Sequence, residues 1–176
     1  ASFSSYEAKA INFDNETKRR IIGVQDHLRE LGPGNFTREE NLHLTLAFLG
    51  EVPATRLDEV KRAMDAVTVR RMKLDFAHVG CFARDSELWW IGAEDNRTLS
   101  GLQRALVNEL RASDLPVDSK KFRPHITLAR EMHIGRRDPK ELLPETFSTD
   151  VSAISLMVSE RISGKLTYTE IYRVGE

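Results

Sequence analysis

Apolar residues recur at three- and four-residue spacing in three stretches of the chain. Ile21, Val24, Leu28 and Leu31 form the first stripe, Leu57, Val60, Met64 and Val67 the second, and Leu99, Leu102, Leu106 and Leu110 the third. That period puts each set on one side of an α-helix and turns the polar residues outward. Asp14 or Asn15 offers a side-chain oxygen to cap the first helix, Gly32 and Pro33 end it, and Thr55 is placed to cap the second. Between the stripes, runs rich in β-branched and aromatic residues predict strands over residues 8–13, 42–49, 72–79, 88–92, 125–129, 151–159 and 166–173. A turn-rich or helical stretch is expected around residues 139–143. This order predicts an α+β fold whose two halves echo one another, each with a strand following a helix.

With 176 residues, the chain can bury a core as one domain, residues 1–176, made of two lobes. Its 40% hydrophobic and 30% charged residues are ordinary for a water-facing protein. No apolar run is long enough to span a bilayer, and the first residues lack the pattern of a secretory signal, so a cytoplasmic protein without a membrane partner is expected. A lone cysteine, Cys81, excludes an intramolecular disulfide and a Cys-x-x-Cys zinc site. The net charge of −1 argues against a uniformly basic nucleic-acid grip, so any anion site must be local. Lys120, Lys121, Arg123, Arg130, Arg136 and Arg137, opposed in that span only by Glu131, form either such a site or a solvated edge.

Residues 43–46 read His-Leu-Thr-Leu and residues 125–128 read His-Ile-Thr-Leu, nearly half a chain apart. On a strand, alternation turns His43 and Thr45 to one face and Leu44 and Leu46 to the other; His125 and Thr127 likewise oppose Ile126 and Leu128. Brought together across a pseudo-two-fold axis, these groups give two imidazoles and two hydroxyls around one pocket. Displacement at a phosphodiester needs that set: a base for the incoming oxygen, an acid for the departing one, and donors to the non-bridging oxygens. Histidine suits both proton-handling roles because its ordinary pKa, about 6.5, lies close to neutrality. A single His-x-Thr arises often by chance; the pairing in corresponding halves carries the reading. His27, His78 and His133 have no such partner and read as structural or surface side chains. A metal hydrolase ligated by His43 and His125 needs a third ligand on the same face, and neither motif offers one.

These motifs resemble those of the two-histidine phosphoesterases, and within them the 2′-5′ RNA ligase group, the RNA 2′,3′-cyclic phosphodiesterases. Asn41-Leu42-His43-Leu44-Thr45-Leu46-Ala47-Phe48-Leu49-Gly50 is similar to the first family motif. Phe122-Arg123-Pro124-His125-Ile126-Thr127-Leu128-Ala129-Arg130 is similar to the second. The family usually begins almost directly at its first strand, whereas residues 1–7 precede the expected one here. The resemblance implies a bilobal fold with antiparallel sheets around a central cleft, helices outside, and a metal-independent reaction with no cofactor. It implies opening of a 2′,3′-cyclic phosphate to a 2′-phosphate, with O3′ leaving, and a slow reverse joining through 2′-5′ linkages.

On matching positions, the resemblance makes His43 the general acid and His125 the general base, roles that a reversed substrate would exchange. Thr45, Thr127 and Arg130 become phosphate ligands. Strict alternation puts Arg130 off the face of His125, so it reaches the pocket only if the strand ends or bulges there. Phe48 is either a base-stacking ring or, sharing the face of Leu44 and Leu46, a core residue. The implied partner is an RNA end or oligonucleotide carrying a cyclic phosphate, bound by a monomer. The same chemistry also fits small cyclic nucleotides or 2′-5′ oligoadenylates, and a non-catalytic nucleotide-binding module is the remaining alternative.

Overall fold

In the computed structural model, which describes residues 3–118 and 121–176, the strands collect into two antiparallel sheets. The first contains β1 (Phe3–Asn12), β3 (His43–Ala47), β4 (Glu51–Pro53), β9 (Ala153–Ile162) and β10 (Lys165–Gly175), in the order β10-β9-β1-β3, with β4 also pairing β1. The second contains β2 (Asn35–Phe36), β5 (Met72–Ala83), β6 (Glu87–Ala93), β7 (His125–Met132) and β8 (Phe147–Val151), in the order β2-β7-β6-β5-β8. The chain therefore passes back and forth between sheets, and β3 at the end of one lies against β7 of the other. The mixed α+β class and the antiparallel sheets are those expected. Lys120 lies outside the described residues.

The helical stripes bury as their spacing requires. α1 (Asn15–Leu31) packs Ile21, Val24 and Leu28 inward, and α3 (Arg97–Ala112) packs Leu99, Leu102, Leu106 and Leu110. Asp14 caps α1 by accepting from the Thr17 backbone N–H at 2.8 Å, and that bond holds the Asp14 carboxyl below its usual pKa. α2 (Leu57–Asp65) differs at both ends. Thr55 lies inside a single tight turn, Ala54–Arg56, and supplies no cap. A cap needs an extended residue whose oxygen folds back on the next turn, and here the backbone runs from the tight turn straight into the helix. At the other end α2 stops at Asp65, so Val67 is buried from the following loop.

Strand boundaries also move. β1 already begins at Phe3, so most of the residues expected to precede it belong to it. The single strand expected over 151–159 is two, because Ser152 separates β8 from β9. The expected stretch near residue 139 forms a short helix, α4 (Pro139–Leu142), capped by Asp138.

One buried cluster runs through both sheets, including Ile11, Leu44 and Ile154 from the first, Phe76, Ile91 and Ile126 from the second, and Leu28 and Leu106 from the helices. Phe76 stacks on Phe147 with ring centres 5.3 Å apart and meets Phe13 edge-on at 5.8 Å. No described helix is long and apolar enough to cross a membrane.

Candidate active site

Alternation places the paired motifs as their sequence demands. Leu44 and Leu46 are buried beneath β3, while His43 and Thr45 are partly exposed; on β7, Ile126 and Leu128 are buried, while His125 and Thr127 are partly exposed. Both pairs line one cleft of about 600 Å³ where β3 meets β7.

Each imidazole is held by its own surroundings. Nδ1 of His125 lies 2.6 Å from the Arg123 carbonyl oxygen. A carbonyl can only accept, so Nδ1 carries the proton and Nε2 is left as the position that takes up or releases one. The rings of Phe82 and Trp90 stand edge-on to His125 at 6.2 and 6.4 Å. Trp90 lies over Gly80, where an added Cβ would come within 2.2 Å of the indole. On the opposite side, Tyr168 of β10 stands edge-on to His43 with ring centres 4.8 Å apart. Asn41 ties that strand down: its Nδ2 donates to the Leu166 carbonyl at 2.9 Å, and its Oδ1 accepts from the Tyr168 N–H at 3.1 Å.

Arg130 reaches the cleft through a bulge. Thr127 pairs with Trp90 and Ala129 with Trp89, so β7 advances two residues while β6 advances one. Leu128 and Ala129 are both fully buried in succession, and Arg130 returns to the face of His125 and Thr127.

Of the basic stretch around residues 120–137, Arg130 alone among the described residues lines this cleft. Its other cations come from elsewhere: Arg38 from the loop after β2, and Arg161 and Lys165 from the two arms of the β9–β10 hairpin. Nothing local in the sequence marked them, because a basic pair flanking the Ser163-Gly164 turn reads as a solvated hairpin. Arg38 is paired through Nε to Glu40 at 2.7 Å. Phe48 is 41% exposed, outside the core and outside the cleft lining, because Leu46 and Ala47 are buried in succession and alternation breaks before it. His27, His78 and His133 are exposed, with His78 3.5 Å from Glu94. Among the described residues no group of three or more His, Cys, Asp or Glu side chains is placed to hold a metal ion.

Residues 17–162 match the family described as the 2′-5′ RNA ligase superfamily. The chain belongs to that family of two-histidine phosphoesterases, and it is an enzyme. Among its relatives is the RNA 2′,3′-cyclic phosphodiesterase of Escherichia coli, 29% identical over 166 residues that cover 93% of this chain and 92% of that protein. The protein of the same name from Thermotoga maritima is 32% identical over 130 residues, 69% of this chain and 67% of its own. Among solved structures, E. coli LigT complexed with 3′-AMP matches with a TM-score of 0.83 and 25% identity, covering 99% of this chain and 98% of that one. A structure described as a phosphoesterase matches equally, with a TM-score of 0.83, 26% identity and the same coverage.

Proposed function

We propose that the protein opens terminal 2′,3′-cyclic phosphates on RNA to 2′-phosphates by general acid–base catalysis, as a cytoplasmic monomer that needs no metal or cofactor. The observation that carries this reading is the convergence of both His-Thr pairs on one cleft. Water attacks phosphorus opposite O3′. His125, its Nδ1 proton held by the Arg123 carbonyl, accepts the water proton at Nε2. Protonated His43 delivers a proton to O3′ as the P–O3′ bond breaks, leaving a 3′-hydroxyl and a 2′-phosphate. Thr45 and Thr127 donate to the non-bridging oxygens, and Arg130 adds a charge-assisted bond, about twice as strong as a neutral one. With a 5′-hydroxyl in place of the water, the same steps join it to the cyclic-phosphate end through a 2′-5′ linkage, the P–O3′ bond again breaking and O3′ again taking a proton.

Arg38, Arg161 and Lys165 at the cleft favour a polynucleotide end over a small cyclic nucleotide, since they extend positive charge beyond the reacting phosphate. Phe48, exposed past the end of β3, is left to meet a base farther along the strand. The test is incubation with an oligonucleotide ending in a 2′,3′-cyclic phosphate, in EDTA and without ATP, followed by mapping of the product phosphate. A 2′-phosphate is expected, with undiminished rate in the chelator. A 3′-phosphate product or loss of turnover in EDTA refutes the scheme.

A further inference from the structure

Gln25 occupies a position in α1 where the stripe of Ile21, Val24 and Leu28 calls for an apolar side chain, and it is only 1% exposed. A buried amide is tolerated only when its hydrogen bonds are made. Its Nε2 donates to the Thr37 carbonyl at 2.8 Å and to the Leu128 carbonyl at 3.0 Å. An amide nitrogen has two hydrogens, so both are spent. The Leu128 carbonyl also accepts the Thr37 backbone N–H at 3.0 Å. One side chain therefore knots together α1, the loop after β2 and the bulge of β7.

The two carbonyls it holds lie close in the chain to two of the cleft cations, Arg38 and Arg130. Thr37 immediately precedes Arg38, and Leu128 is the bulged residue that turns Arg130 back onto the face of His125. We infer that Gln25 is a positioning residue for the substrate phosphate, acting through Arg38 and Arg130 without touching substrate. This rests on the cyclic phosphodiesterase reading of the cleft. Without the amide, the Leu128 carbonyl keeps one bond from Thr37 and loses its hydrogen bond from the helix. Relaxation of β7 to regular alternation would carry Arg130 to the opposite face. A phosphate ligand held by such support is worth most when its geometry is fixed before substrate arrives.

A merely structural glutamine and a positioning one separate in a mutant cycle. kcat/KM on an oligonucleotide 2′,3′-cyclic phosphate is measured for Gln25→Met in the natural background and in an Arg38→Ala/Arg130→Ala background, with Tm recorded throughout. The expected result is a loss of about tenfold in the natural background and under about twofold when both arginines are already gone, while Tm falls equally in the two. Equal fold losses in both backgrounds overturn the inference and leave the phosphate reading standing. If removing the arginines costs no activity, the phosphate reading of the cleft fails and takes the inference with it. Should Gln25→Met not fold, Gln25→Asn is read in the same cycle; it keeps the donor but is one methylene too short to span both carbonyls.

Discussion

The bond from His125 to the Arg123 carbonyl leaves Nε2 of that ring as the atom that takes up or releases a proton. A base must be unprotonated to work and an acid protonated, so the rate should fall on the acidic side through the base and on the alkaline side through the acid. The expected profile of kcat/KM is bell-shaped. His125→Asn should cut the rate about 10²- to 10⁴-fold and flatten the acidic limb, whereas His43→Asn should cut it similarly and flatten the alkaline limb. The opposite pairing of variant and limb would exchange the roles of acid and base. At this scale His43, Thr45, His125 and Thr127 were legible because each sits in a four-residue motif whose alternation fixes its face. Arg130 was legible conditionally, needing the bulge that the ladder between Thr127 and Ala129 contains. Gln25, and the role of Asn41 in tying down β10, were not legible. Their work is done on backbone atoms far away in sequence, the carbonyls of Leu166 and Leu128, and no local pattern encodes such a partner.

Among the elements, the two helix starts make opposite predictions. Asp14 accepts the Thr17 N–H, so Asp14→Ala should cost about 1 kcal/mol, measured by urea unfolding at neutral pH. Because its carboxyl titrates below the usual value, the stability it adds is present above its unfolded pKa and is lost as pH falls through its folded one. The penalty of the substitution should therefore shrink on acidification. Thr55 makes no cap, and Thr55→Ala should change stability by no more than about 0.5 kcal/mol. Helix faces were legible throughout, since the 3.6-residue period is set by local geometry. β2, β4 and β8 were not. The first two hold two and three residues, too few to show a period, and β8 places Thr149 where the pattern calls for an apolar residue. Thr149 is buried because its hydroxyl meets that of Thr17 at 2.9 Å, a pairing across most of the chain.

Taken as a whole, the molecule has two sheets but one continuous core, with Leu44 and Ile126 in the same buried cluster. The sheets should accordingly unfold together. Far-UV circular dichroism and residual cyclic phosphodiesterase activity, followed through a urea titration, are expected to trace coincident transitions. Activity lost well before ellipticity would mean that the sheets part at the β3–β7 seam while each stays folded. The echo between halves visible in the sequence is carried by the paired motifs and by the two five-stranded antiparallel sheets that present them. The chain visits one sheet, leaves for the other and returns twice, an order that propensity cannot reveal because pairing partners are chosen by the folded whole.

That weaving bears on when the protein becomes active during its own synthesis. β1 leaves the ribosome well before its neighbour β9, about 140 residues further along the chain, and Tyr168, which stands against His43, arrives later still on β10. A nascent chain that has already completed both histidine motifs still lacks one wall of the cleft. Surrounded by ribosomal and messenger RNA, it gains a finished cleft only after β10 has been made.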